Sequence, residues 1–199
     1  PKSKIKSNYY TTKPPPRQGK TLAGKLRIVI YYSKKEAERM QRIEKENYYL
    51  DIAETVLERS TCLRRQYGAI IVRNDEIVAT GYNGAPRGRK NCSDLGRCVR
   101  VQLQVPRGER YELCRSVHAE ANAIISASRN ECIGADLYLV GHDAMTGEIL
   151  QDATSCSMCR RMIINAGIKR VVVRSSRREF TVVPVQDWID QDDTLETPV

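Results

Sequence analysis

Strand-like and helix-like runs alternate along most of this chain, which predicts an α/β protein. The expected fold is a three-layer α/β/α sandwich around a mixed sheet of about five strands. Two further observations support that class. At 199 residues and 41% hydrophobic content the chain can bury one ordinary core. Its two segments richest in metal-binding side chains both fall where a helix begins.

The elements follow in order. Residues 1–21 carry Pro14-Pro15-Pro16 and scattered lysines, with too few apolar side chains to offset the entropy of ordering, and residues 1–39 as a whole read as a basic, flexible extension. Within it, Leu26–Tyr32 is a short β-branched and aromatic run that suits either an added strand or a sticky piece of the tail. The folded domain is expected over residues 40–199. Tyr48–Ser60 has the spacing of an amphipathic helix, with Ile52, Val56 and Leu57 on one side. Tyr67–Arg73 and Glu76–Tyr82 are strand-like and flank Asn74-Asp75, a hairpin signal. Residues 83–117 form a long Gly-, Pro-, Arg- and Cys-rich stretch without clear period, and loops of that length inside a domain are usually functional. His118–Arg129 reads as a helix burying Ala121, Ile124 and Ile125. Asp136–Gly141 is a strand, and residues 142–155 a polar loop that holds His142 as a surface group. Cys156–Ala166 is a helix closed by Gly167, a residue suited to a C-terminal cap. Lys169–Arg174 and Thr181–Val185 are strands, followed by a short helix around Trp188.

Charge and cysteine usage narrow the function classes. The net charge of +9 is concentrated in one place: residues 1–47 hold 13 Lys/Arg against 4 Asp/Glu, while residues 48–199 hold 20 of each. A neutral domain lacks the footprint of a nucleic-acid binder, so contact with nucleic acid is expected only through the basic tail. No apolar run approaches the ~20 residues of a membrane helix, and no membrane partner is expected. The N-terminus lacks the apolar stretch of a secretory signal. Seven cysteines, an odd and clustered set, favour reduced thiols and metal binding in the cytoplasm.

The chemistry rests on His118-Ala119-Glu120 and Cys156-Ser157-Met158-Cys159. Cysteines three apart make a claw for one metal ion, and a distant histidine adds a third ligand. The fourth position then stays open for water, as in a catalytic zinc site. At a helix's first turn, His118 and Glu120 can converge on a point beyond the helix end. The positive end of each helix favours thiolate over thiol. Zinc would acidify a bound water, and Glu120 would carry its proton. Taken alone, Cys156 and Cys159 suit a closed zinc knuckle or core thiols equally well. The added His-x-Glu favours catalysis.

These motifs carry a resemblance. A His-x-Glu with a downstream Cys-x-x-Cys is the signature of zinc-dependent nucleobase deaminases. Gly81-Tyr82-Asn83-Gly84-Ala85-Pro86-Arg87-Gly88, the segment from Glu112 to Ile124, and Ser155-Cys156-Ser157-Met158-Cys159 with Ile163–Gly167 resemble the deoxycytidylate (dCMP) deaminase family, over roughly residues 45–175. The resemblance implies a cytidine deaminase-like fold and hydrolysis of dCMP to dUMP and ammonia. It implies that His118, Cys156 and Cys159 hold Zn²⁺, that Glu120 shuttles protons, that Asn83 bonds the sugar hydroxyl and that Ala119 meets the pyrimidine edge. It places the 5′-phosphate at the loop from Asn83 to Lys90, where Arg87 and Lys90 are the candidate cations. It further implies homo-oligomers, hexamers among them, and a dCTP or dTTP effector carrying Mg²⁺. Some relatives hold a second, structural zinc, for which Cys62, Cys92, Cys98 and Cys114 are the candidates. Cys132 reads as a buried hydrophobe. Ser155 departs from the family, which places proline there, and suits an N-cap. Two other readings stand beside this one: a deaminase of tRNA or a free nucleoside, and a zinc-stapled nucleic-acid-binding or competence protein without activity.

Overall fold

A computed structural model describes residues 42–106 and 108–191. The elements lie in a compact unit beginning at Glu44. The basic extension and the Leu26–Tyr32 strand expected from the sequence lie outside the described residues. In chain order the elements are α1 (Lys45–Leu57), β1 (Arg65–Arg73), β2 (Glu76–Tyr82), α2 (Cys92–Leu95), α3 (Val99–Gln102), a 3₁₀ turn (Tyr111–Leu113), α4 (Ala119–Ser126), α5 (Arg129–Cys132), β3 (Asp136–Asp143), α6 (Ser157–Ala166), β4 (Arg170–Arg174), β5 (Phe180–Pro184) and α7 (Val185–Asp190).

The sheet has five strands in the order β2-β1-β3-β4-β5. β1 pairs antiparallel with β2 and β3, β3 and β4 are parallel, and β5 is antiparallel to β4. The sheet is therefore mixed, as expected. Asn74 and Asp75 both adopt positive φ, which closes the β1–β2 hairpin. The parallel pair needs a crossover, and α6 supplies it.

Side chains alternate across the pleat, so β1 feeds two cores. Ile70 and Val72 join Tyr138, Val140 and Val172 beneath α1, whose buried face is Tyr49, Leu50, Ala53 and Leu57. Ala69 and Ile71 join Leu137, Leu139, Val171 and Val173 on the opposite face, beneath α4, α6 and α7. This is the three-layer sandwich. Cys132 is buried among these apolar groups, as read from the sequence.

Three local expectations change. The helix opening at Ala119 stops at Ser126 because Ser128 starts another: its backbone amide donates to Glu131 Oε2 at 2.7 Å and its Oγ accepts from the Glu131 amide at 3.3 Å. That Ser-x-x-Glu capping box was readable in the sequence. Ile125 is 70% exposed, because the buried face of α4 is made of Ala119, Glu120, Ala121 and Ala123. His142 lies on β3 and not in a polar loop; its Nε2 is 3.1 Å from Glu54 Oε1. The residues that follow rejoin the strand through an isolated bridge from His142 to Ile149.

Candidate active site

The site forms where two helix starts meet the end of β2. His118 is the N-cap of α4 and Cys156 the N-cap of α6; both have extended backbone, and each carbonyl accepts the first helical hydrogen bond, from Asn122 and Arg160. Cys156 itself caps α6. Ser155 is buried, and its Oγ has no hydrogen-bond partner among the described residues, so the N-cap expected of it is absent. The Gly-Tyr-Asn-Gly segment sets the position of His118. Gly84 and Val117 form an isolated two-way bridge, with hydrogen bonds of 3.2 and 2.8 Å, which brings Asn83 beside His118. Asn122 Nδ2 also donates to the Tyr82 carbonyl at 2.7 Å and ties α4 to the end of β2.

His118 Nδ1 lies 3.4 Å from Cys156 Sγ and 3.4 Å from Cys159 Sγ, and the three ligand atoms all lie within 4.8 Å of one another. Tetrahedral zinc with Zn–N and Zn–S bonds of ~2.0 and ~2.3 Å would hold nitrogen and sulfur about 3.6 Å apart. The spacing fits such an ion. Among the described residues, no fourth histidine, cysteine or acid joins the set.

Electrostatics also suit a cation. Burial pushes the His118 imidazole down, but the Cys114 and Cys156 thiols and the Glu120 carboxylate outweigh it and hold the ring's pKa at about 10. Cys159 and His118 hold the Cys156 thiol down at about 4, and Cys159 is pushed up in turn. A thiolate and an imidazolium thus share a proton where a dication would sit, and metal binding would release that proton. Glu120 is 4% exposed, and burial, the largest influence on it, raises its carboxyl above the usual carboxylate range.

The other candidates fall as follows. Asn83 is buried. Its Oδ1 accepts from Ser60 Oγ at 2.6 Å and from the Tyr67 amide at 2.8 Å, and its Nδ2 donates to the Arg65 carbonyl at 2.9 Å. One amide hydrogen remains for a ligand. Asn83, Ala119, Glu120, His118 and Cys156 all line one cleft. Arg87 and Lys90 are exposed and outside its lining. The loop that carries them runs over the surface, and the cleft takes its cations from Arg64, Arg65 and Arg100 instead. Those arginines and Tyr111, whose ring meets His118 edge-on at 5.2 Å between centroids, were missed in the sequence. Adjacent Arg64-Arg65 at the start of a strand was the available signal.

The long segment after Asn83 is more ordered than its composition suggests. Thr61 Oγ1 donates to Asn91 Oδ1 at 3.0 Å, and the Ser93 amide donates to the Thr61 carbonyl at 3.3 Å, which draws Cys62 and Cys92 together. Burial raises the Cys92 thiol, and Cys62, Cys98 and Cys114 reinforce the rise. Yet no three of these four sulfurs lie within 4.8 Å of one another. Cys114 also acts on His118 and helps to raise that imidazole.

A histidine, two cysteines and a buried acid at the mouths of two helices make the donor set of a metal-dependent hydrolase. Residues 43–175 match the family model of the cytidine and deoxycytidylate deaminase zinc-binding region, and the chain belongs to that family. It is 34% identical over 131 residues to a deoxycytidylate deaminase of Schizosaccharomyces pombe, covering 66% of this chain and 37% of that protein. It is 36% identical over 137 residues to a deoxycytidylate deaminase of Mycobacterium phage D29, covering 67% of this chain and 96% of that one. The apo crystal structure of dCMP deaminase from cyanophage S-TIM5 matches with 29% identity and a TM-score of 0.47, over 67% of this chain and 85% of that one. The chain thus spans well under half of the yeast relative and nearly all of the phage D29 relative.

Proposed function

We propose that this protein is a zinc-dependent deaminase that hydrolyses dCMP to dUMP and ammonia, and so supplies a precursor of thymidylate. The observation that carries the reading is the convergence of His118, Cys156 and Cys159 beside buried Glu120, in the cleft that Asn83 also lines. The two deoxycytidylate deaminases named above support the choice of substrate.

In this reading His118, Cys156 and Cys159 hold the zinc, which when bound supplies an acidified water as nucleophile. Glu120 would take one proton of the attacking water and deliver it to the ring nitrogen, then carry the water's second proton to the departing amine, which leaves as ammonia. Burial raises the Glu120 carboxyl and so favours the protonated form that a proton donor needs. The backbone at Ala119 meets the pyrimidine edge, and the remaining Asn83 amide hydrogen meets a sugar oxygen.

A second, structural zinc on Cys62, Cys92, Cys98 and Cys114 belongs to the same reading. Their mutual influence at Cys92 supports it, and the four sulfurs would have to draw together around the ion. Zinc analysis tests it: two ions per active chain are expected, and one would end the idea. Homo-oligomers, and control by dCTP or dTTP with Mg²⁺, rest on the family resemblance alone. Cytoplasmic location rests on the reduced cysteines, all seven of which are free.

Ammonia release from dCMP, deoxycytidine, cytosine and a tRNA tests the function. Turnover of dCMP above the others is expected. Preference for the tRNA or the free base would overturn the reading.

A further inference from the structure

We propose that Tyr111, backed by Arg100, is a positioning residue that fixes the plane of the His118 imidazole and so aims Nδ1 at the metal; the inference rests on the reading of His118 as a zinc ligand given above. The lone pair of Nδ1 lies in the plane of the ring, so a metal bond tolerates little rotation about the Cβ–Cγ bond. Nδ1 stands 3.4 Å from both Cys156 Sγ and Cys159 Sγ, which is the orientation a shared ion needs. The last torsion of a histidine is broad, so the side chain alone does not hold that plane. In metal sites, groups that touch the ligand from outside the ligand set hold it.

Tyr111 touches His118 in that way. The two ring centroids are 5.2 Å apart and the planes meet at 81°, an edge-on pairing in the range that aromatic groups favour. With the planes nearly perpendicular, rotating the imidazole about Cβ–Cγ either drives one ring into the other or opens a gap between them. The contact therefore selects a plane, which a featureless apolar wall would not. Both residues line the same cleft, so the brace stands beside the reacting atoms without being one of them. Cys114, at the end of the same 3₁₀ turn as Tyr111, acts on the imidazole as well.

Arg100 holds Tyr111 in place. Its guanidinium carbon lies 4.8 Å from the Tyr111 ring centroid, close enough for the cation to attract the ring face. Arg100 is 7% exposed, and loss of water strengthens that attraction. Its Nη2 donates to the Pro106 and Glu109 carbonyls at 2.8 and 2.5 Å, and its own carbonyl accepts from the Val105 amide at 2.9 Å. One residue thus gathers Val105, Pro106 and Glu109, the last of them two positions before Tyr111. Arg110, between the two, takes positive φ and turns the chain into the 3₁₀ turn that Tyr111 opens. The middle of the long Gly-, Pro- and Arg-rich segment acquires a use here: it is a strut running from a buried cation, through one aromatic ring, to the metal-binding histidine.

The test reads the metal before it reads turnover. Wild type, Tyr111→Ala, Tyr111→Phe, Arg100→Gln and the double variant Tyr111→Ala/Arg100→Gln would be compared by zinc competition against a chromophoric chelator. The visible bands of cobalt(II) in the same site would report ligand geometry, and dCMP turnover would be followed alongside. Tyr111→Ala should weaken zinc binding about 10- to 100-fold, the usual effect of losing a group that orients a ligand, and should alter the cobalt bands. Tyr111→Phe keeps the ring and should stay within about twofold of wild type, and Arg100→Gln should lose about tenfold. Because Arg100 acts through Tyr111, the double variant should bind no more weakly than Tyr111→Ala. Ile70→Val, fully buried in the opposite core, controls for stability: it should lower the melting temperature and leave zinc affinity of the folded protein unchanged. Undiminished zinc affinity in Tyr111→Ala, a Tyr111→Phe loss as large as that of Tyr111→Ala, or losses that multiply in the double variant would overturn the proposal. A protein whose zinc affinity follows this pattern without deaminating dCMP would overturn the functional reading and leave the brace standing. One that deaminates dCMP with undiminished zinc affinity in every variant would do the reverse.

Discussion

A Cβ built on Gly81 would sit 2.3 Å from the Ala119 carbonyl oxygen and 2.4 Å from the Ala123 amide nitrogen. The backbone of α4 therefore rests directly on β2, with no side chain between them. Ala119 follows His118, so this contact fixes how far the metal-binding histidine stands from the sheet.

Gly81→Ala should destabilise the fold by about 3 kcal/mol, at the upper end for overpacking, because the clash is with backbone that cannot rotate away. It should also weaken zinc retention by lifting the start of α4. Gly68→Ala, which meets the Ala53 carbonyl of α1 at 2.1 Å, should cost similar stability and leave zinc affinity of the folded protein unchanged. Thermal melts with zinc competition assays separate the two. Equal zinc loss in both variants would show that the Gly81 contact has no special hold on the site.

Glu120→Gln keeps the shape of a buried side chain while removing its proton chemistry. Turnover of dCMP should fall by about 10²–10⁴-fold, the usual contribution of a general acid–base group. Zinc content and melting temperature should stay near wild type, since Glu120 lies outside the three-ligand set. An active glutamine variant would remove Glu120 from the mechanism.

Removing the metal should expose a reactive thiolate. Cys156, half-buried, has its folded pKa depressed to about 4 by Cys159 and His118, so it stays deprotonated until the pH falls through that value. Chelator-treated protein should react with iodoacetamide first at Cys156, at a rate nearly level from about pH 8 to about pH 5, unlike a free thiol with pKa near 8.5. Cys159, buried and pushed upward, should lag. Restoring zinc should protect both. A rate that drops tenfold per pH unit across the neutral range would refute the thiolate, and peptide mass mapping would identify the site.

Asn83 serves the fold before it serves a ligand. Asn83→Ala strands the Tyr67 amide and the Arg65 carbonyl, and should cost about 2–4 kcal/mol, the sum expected for partners left without hydrogen bonds. Ser60→Ala removes the 2.6 Å contact to Asn83 Oδ1, a longer one to the Asn83 carbonyl at 3.1 Å and the bond that the hydroxyl accepts from the Cys62 amide at 3.3 Å, and should cost about 1–2 kcal/mol with activity retained. Chemical denaturation measures both. An Asn83→Ala protein as stable as wild type would contradict the anchoring role.

The sequence by itself determined the layer order, the mixed sheet and the two helix starts. Those features depend on local periodicity, on turn residues such as Asn74-Asp75 and Gly167, and on motifs with fixed ligand spacing. The short α4 was legible too, through the Ser128…Glu131 capping box. Only tertiary structure decided which cations face the cleft. Arg64, Arg65 and Arg100 come from segments far apart in the chain, and no local pattern marks where separate segments meet. The exposure of Ile125 was settled the same way: an alanine-lined face lets α4 sit close on Gly81, and that close fit turns the larger side chain outward.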